Sequence, residues 1–194
     1  MLLLKGGRPD DISPDGRYLL YSALDQKTLM DLWVLPLTGA PGERKPAPYL
    51  QTQFSERQGK FSPDGRWIAY TSDESGPDQY QIYVQSFPAG SGKFMISAGG
   101  GTQPRWRRDG KEIFYIAADG KVMAVDVKTT PKFEAGAPKA LFDPRIVNFV
   151  AFTYFRYDVT PDGKRFLVNS FRGAESSPAA PITVVLNWQA AVKR

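Results

Sequence analysis

The sequence predicts an all-β fold, a β-propeller of about four four-stranded antiparallel blades. Three observations predict it. A five-residue turn motif recurs four times, with its aspartates 49, 45 and 53 positions apart. A period in the forties to low fifties, with strands inside it, is the signature of propeller blades. Each copy leads straight into a strand-like run such as Trp67-Ile68-Ala69-Tyr70-Thr71-Ser72. The content of 18 Gly and 16 Pro in 194 residues is high for a helical protein and normal where many short strands meet at turns.

The turn copies are Ser13-Pro14-Asp15-Gly16-Arg17, Ser62-Pro63-Asp64-Gly65-Arg66, Arg107-Arg108-Asp109-Gly110-Lys111 and Thr160-Pro161-Asp162-Gly163-Lys164. Proline fixes φ near −65° and suits the second position of a type I turn. Aspartate can bond nearby backbone amides, and glycine then takes the left-handed conformation without a Cβ penalty. The result is a tight hairpin with a one-residue bulge. Arg108 in the third copy gives up the proline's pre-organisation but keeps Asp-Gly. Asp15, Gly16, Asp64, Gly65, Asp109, Gly110, Asp162 and Gly163 are therefore read as turn mechanics, not as paired catalytic carboxylates.

The blades follow in order. The first, over 10–52, has strands at 11–12, 18–23, 31–37 and 48–52. The second, over 57–97, has strands at 59–61, 67–72, 81–87 and 93–97. The third, over 102–146, has strands at 103–107, 112–117, 122–127 and 139–142, with Pro104 confined to a strand start. The fourth, over 150–190, has strands at 156–160, 165–170 and 182–188 and then stops. Residues 1–5, Met1-Leu2-Leu3-Leu4-Lys5, read as a lone outer strand. They are expected to complete the last blade by pairing with 182–188, or to do so on a neighbouring molecule.

Composition removes several function classes. The sequence has no Cys, which excludes disulfides, thiolate catalysis and Cys-ligated metals, and no His, the commonest general base and zinc ligand. A Ser-His-Asp triad cannot be built from this chain alone, and no Gly-x-Ser-x-Gly elbow occurs. Gly99-Gly100-Gly101 lacks the Gly-Lys-Ser/Thr ending of a phosphate loop and is expected to be a flexible inter-blade connection. Asp73-Glu74-Ser75-Gly76-Pro77-Asp78 lacks calcium-loop spacing and reads as a turn between second and third strands. No catalytic residue, metal or cofactor is expected. No run approaches the ~20 apolar residues of a membrane helix, and the first residues do not make a signal peptide.

The net charge of +5 permits an anionic partner. Arg17, Arg66, Lys111 and Lys164 are expected to be solvated hairpin-end charges. Tyr18, Tyr21, Trp67, Tyr70, Phe114 and Tyr115 fit blade-to-blade packing better than base stacking, so no nucleic acid is expected. Arg105 and Arg107 share one strand face and could line a central channel, with Trp106 turned to the core.

The Ser-Pro-Asp-Gly-Arg/Lys turn followed by an Ile-Ala-Tyr-Thr-Ser type strand resembles the TolB-like, WD-related propeller repeat. The resemblance covers essentially the whole chain. Three further segments resemble the C-terminal propeller of large bacterial serine/threonine protein kinases: residues 65–76, residues 99–111, and the ending Pro181-Ile182-Thr183-Val184-Val185-Leu186-Asn187-Trp188. The resemblance implies an extracytoplasmic or periplasmic location and more than four blades. The sequence itself shows no kinase domain, no membrane helix, and no hydrolase domain of the prolyl-oligopeptidase kind.

The expected function is a non-catalytic binding or scaffold module for a protein, a peptide or a small molecule. Candidate contacts lie on the connections into each first strand and between second and third strands: Gln53, Glu56, Arg57, Gln58, Asp73, Asp78, Gln103 and Arg105. Two alternatives stand beside it: a fragment or engineered propeller that self-associates, as a dimer, into a larger ring, and a propeller lyase or hydrolase with an acidic or Tyr-based site.

Overall fold

A computed structural model describes residues 6–40, 42–90, 92–145 and 154–169. These residues form fifteen strands and no helix. Blade 1 is β1 (Gly7–Ile12), β2 (Tyr18–Asp25), β3 (Leu29–Pro36) and β4 (Ala47–Leu50). Blade 2 is β5 (Glu56–Phe61), β6 (Trp67–Ser72), β7 (Gln81–Ser86) and β8 (Lys93–Met95). Each is a four-stranded antiparallel meander in sequence order. Blade 3 is β9 (Thr102–Trp106), β10 (Glu112–Ile116), β11 (Val122–Lys128), β12 (Glu134–Ala135) and β13 (Lys139–Phe142). Both β12 and β13 pair with β11, so the fourth strand of this blade is split, and only its second half is legible in the sequence. Blade 4 is described through β14 (Tyr157–Val159) and β15 (Phe166–Val168). The expected pairing of residues 2–4 with 182–188 lies outside the described residues.

All four turns form as the sequence predicts, and the motif's first residue contributes more than its place in the pattern suggests. Gly16, Gly65, Gly110 and Gly163 have φ of 72°, 71°, 73° and 73°. Their N–H groups bond the carbonyls of Ser13, Ser62, Arg107 and Thr160. The Ser62 hydroxyl donates to Asp64 Oδ1 at 2.6 Å and accepts the Trp67 N–H at 3.0 Å, while Asp64 Oδ1 also accepts the Arg66 N–H at 3.1 Å. Ser13 and Thr160 do the same for their turns. In the third copy the Arg107 guanidinium holds Asp109 instead, at 2.7 Å. Asp15, Asp109 and Asp162 accordingly titrate below the usual carboxylate range, chiefly because of the side-chain hydrogen bond from Ser13, Arg107 and Thr160. Gly65→Ala is expected to cost about 1 kcal/mol, a pure backbone effect: a Cβ there has open space, with Pro14 Cδ no nearer than 3.8 Å. A urea titration reads it as a lowered midpoint at unchanged slope; an unchanged midpoint would contradict it.

Three apolar cores lie between successive blades. Leu20 and Leu32 of blade 1 meet Phe61, Ile68, Tyr70 and Tyr83 of blade 2. Ala69, Ile82 and Val84 of blade 2 meet Ile113, Tyr115 and Val125 of blade 3. Phe114, Ile116, Val122 and Ala124 of blade 3 meet Tyr157 of blade 4. Strand alternation produces this directly, because successive residues such as Ile68 and Ala69 point to opposite neighbours. Of the aromatics expected at blade joints, Tyr18, Trp67, Tyr70, Phe114 and Tyr115 lie in these cores or against them, while Tyr21 is buried but belongs to none of the three.

One connection departs from expectation. Gly99-Gly100-Gly101 is held, not loose. The Gly101 N–H bonds the Tyr80 carbonyl at 2.7 Å, and the Gly100 N–H bonds Gln81 Oε1 at 3.1 Å. A Cβ on Gly101 would come within 2.9 Å of Tyr115 and 3.0 Å of Ile82. Glycine is there because blades 2 and 3 close over the backbone, not to give the connection freedom.

Candidate binding site at the channel mouth

The innermost strands β1, β5 and β9 share an irregularity that builds the site. Each loses register with its second strand, between Pro9 and Asp11, Arg57 and Lys60, and across Phe114–Ile116 on the partner of β9. Gln58 and Gln103 occupy these bulges with φ of 59° and 61°. Pro104 is thereby accommodated within β9 rather than at its start, since a bulge on an inner edge needs no ladder N–H from it.

The bulges turn polar groups sideways into the neighbouring blade. Gln58 Oε1 accepts the Gln103 N–H and the Thr71 hydroxyl, both at 3.0 Å. Gln103 Oε1 accepts the Arg156 N–H at 2.5 Å, and the Gln103 carbonyl accepts the Tyr157 hydroxyl at 3.0 Å. Asp11 Oδ2 accepts the Phe61 N–H at 3.0 Å, and the Lys60 carbonyl accepts the Trp106 indole N–H at 3.0 Å. Gln58 and Gln103 are buried, at 4% and 7% exposure. Their side-chain oxygens are occupied in joining blades.

The other candidate residues separate into two groups. Gln53 and Asp78 are exposed on the connections, with Asp78 at φ 58°. Asp73 accepts the Ser55 N–H at 2.8 Å and so ties the β4–β5 connection to the β6–β7 turn. Glu56 is buried, takes the Thr52 hydroxyl on Oε1 at 2.5 Å, and is pushed up to about 7, first by burial and then by Asp31. Arg57 and Arg105 reach the channel. Arg57 donates through Nη2 to Ser55 Oγ at 2.6 Å and to Tyr80 Oη at 3.0 Å, and lies 4.8 Å over the Tyr80 ring. Arg105 donates to Asp158 Oδ1 at 3.2 Å and stacks 3.6 Å from the Phe155 centroid. Arg107 leaves the channel and pairs within its own blade with Asp109 and Glu112.

Tyr154 and Phe155, immediately before β14, complete the mouth. Lys60 lies 4.7 Å over Phe155 and Arg8 lies 5.6 Å over Tyr154. Cations from blades 1, 2 and 3 thus converge on two aromatic rings from the start of blade 4. Behind them is a cavity of about 360 Å³ lined by Arg8, Asp10, Ser22, Met30, Arg57 and Phe155, among others. Ser22 Oγ donates to Asp10 Oδ2. Burial raises Asp10 to about 6, against the opposing effects of Ser22, Lys60 and the Gly59 N–H. Burial also lowers Lys60, whose amine bonds the Asp10 carbonyl and pairs with Asp11 at 3.8 Å. The sequence reading missed Arg8, Asp10, Ser22 and Phe155. Asp10 and Ser22 meet only through the β1–β2 register, and Phe155 meets Arg105 only across blades.

A larger groove of about 750 Å³ lies beside the third turn, lined by Arg107, Asp109, Asp126, Lys128 and Glu134 among others. Its charges largely satisfy one another, through Arg107–Asp109 at 2.7 Å, Lys128–Glu134 at 3.6 Å and Asp126–Lys139 at 2.6 Å. The channel cavity is smaller but gathers groups from several blades, which is the arrangement recognition uses.

Comparison with known proteins agrees with this architecture. Residues 51–131, covering blade 2 and most of blade 3, match the family model for the prolyl oligopeptidase N-terminal β-propeller domain. No curated protein matches the sequence. Among solved structures, TolB from Acinetobacter baumannii superposes with a TM-score of 0.60 at 17% identity, over 89% of this chain and 38% of that one. A protein assigned as TolB from Agrobacterium tumefaciens gives 0.58 at 21% identity, over 73% and 52%. One assigned as a 6-phosphogluconolactonase from Bacteroides uniformis gives 0.53 at 16%, over 84% and 47%. The chain spans about half or less of each of these proteins, and what they share with it is the TolB-like β-propeller fold.

Proposed function

We propose that this propeller is a non-catalytic binding module whose recognition surface is the channel mouth. The observation that carries this reading is the convergence of Arg8, Lys60 and Arg105 on Tyr154 and Phe155, two rings that together with Arg8 and Arg57 line one cavity. Cations on aromatic faces, backed by strands locked through Gln58 and Gln103, form a pre-organised receptor for a ligand with an anionic group. Gln53, Asp73 and Asp78, on the same end of the blades, supply an outer rim for a larger ligand such as a peptide. The resemblance to kinase-tail propellers supports a sensory role outside the cytoplasm as part of this proposal.

Thermal-shift measurements with small carboxylates, amines and neutral compounds test it. Carboxylates are expected to raise Tm, and the shift to vanish in the Arg57→Ala/Arg105→Ala double variant but persist in Lys128→Ala, which alters only the groove beside the third turn. Binding indifferent to the channel variants would overturn the site. Turnover of lactones or esters that disappears in Asp10→Ala would overturn the non-catalytic reading.

A further inference from the structure

Resting on the binding reading above, we infer that the channel cavity takes a small zwitterion, a free α-amino acid with an apolar side chain. The wall carries both signs of charge within one small volume: the guanidinium groups of Arg8 and Arg57 and the carboxyl of Asp10. The Arg57 guanidinium is fixed in orientation by Ser55 and Tyr80, as a carboxylate receptor requires. Asp10 receives two neutral donors, the Ser22 hydroxyl and the Gly59 N–H. The nearest amine, Lys60, makes its ion pair with Asp11 and bonds Asp10 only at the backbone carbonyl. A carboxylate desolvated in this way gains most from a cation brought by the ligand. Met30, Pro9, Tyr154 and Phe155 supply the apolar and aromatic remainder of the lining. About 360 Å³ suits an amino acid with a few waters and lies at the small end of ligand sites.

The ammonium contact has a signature that a merely structural role for Asp10 lacks. Asp10 faces Lys60 and Asp11 from the inner strands, Ser22 from β2, and shares the cavity with Arg8 and Arg57. Its ionised form holds the ammonium, so affinity is full well above about pH 6, is halved near that pH and falls by up to tenfold per pH unit below it.

Isothermal titration of the whole chain with L-leucine, N-acetyl-L-leucine and L-leucinamide tests the inference. L-Leucine is expected to bind, with each blocked form at least tenfold weaker. Asp10→Asn is expected to weaken L-leucine at least tenfold, leave N-acetyl-L-leucine unchanged and abolish the pH dependence. Equal binding of L-leucine and N-acetyl-L-leucine would reduce the site to an anion receptor and overturn the zwitterion. No L-leucine binding, with other carboxylates still raising Tm through Arg57 and Arg105, would sink the inference and leave the binding module standing. No binding by any probe would sink both. Should Asp10→Asn fail to fold, the three ligands on the unaltered chain still decide.

Discussion

Replacing Gln58 with leucine is expected to lower the unfolding free energy by about 3 kcal/mol, read as a reduced urea midpoint. The side-chain oxygen of Gln58 is the acceptor for the buried Gln103 N–H and for the Thr71 hydroxyl. Leucine fills similar space but removes that acceptor: the Thr71 hydroxyl loses its partner and the Gln103 N–H keeps only its longer bond to Thr71 Oγ1 at 3.3 Å, and a buried polar group left unsatisfied costs about 1–3 kcal/mol. The loss falls on the joint between blades 2 and 3, where a propeller's neighbouring sheets have few bonds other than apolar contact. Gln53→Leu, on the exposed connection nearby, is expected to stay within about 0.5 kcal/mol of the unaltered chain. Equal effects of the two substitutions would show that Gln58 does not join the blades as its hydrogen bonds indicate.

The two ends of the blades divide the labour. At one end the Asp-Gly turns satisfy themselves, with Ser62 and Asp64 capping each other and the N–H groups that follow. The turn carboxylates and hydroxyls there are taken up by the turns themselves. At the other end the inner strands bulge, and Gln58, Gln103 and Asp11 bond sideways to the next blade. That rigidity holds Arg57 and Arg105 at fixed positions in the channel, and pre-organised groups bind without an ordering cost.

The turns and nearly every strand among the described residues were legible because their causes are local. Pro63-Asp64-Gly65 dictates a hairpin whatever surrounds it, and Trp67 to Ser72 alternates as a strand with two packed faces must. The bulges were not legible residue by residue, since nothing in a glutamine signals a positive φ. A weaker signal was present: Gln58 and Gln103 each lie four residues before the first residue of their turn, Ser62 and Arg107. Read together, that repeated offset marks a joint rather than two ligand contacts. Lys60, Arg105 and Phe155 come together from three blades, and no spacing along one strand reveals such a meeting. Glu56 was singled out for its place near the rim, yet it lies buried between blades 1 and 2, where its chemistry is electrostatic.

Glu56→Gln is accordingly expected to stabilise the protein, and only when the pH is high enough. Glu56 is 1% exposed, and its Oε2 finds no hydrogen-bond partner among the described residues; the same holds for Oδ1 of Asp31, which is fully buried. Burial and the Asp31 charge together raise Glu56 to about 7, with Thr52 and Lys93 opposing them. A carboxyl whose folded pKa lies above its ordinary value binds its proton more tightly in the folded chain. Its contribution is fully present below about pH 4.5 and is lost as the pH rises through about 7. Glutamine keeps the acceptor for Thr52 and removes the charge. At pH 4 the two proteins should therefore unfold at nearly the same denaturant concentration. At pH 8 the glutamine variant should be more stable by about 2 kcal/mol, allowing for screening of the full shift. A variant that is less stable at pH 8 would mean that Glu56 is neutralised there by a cation, and would overturn the picture of an unpaired buried carboxylate.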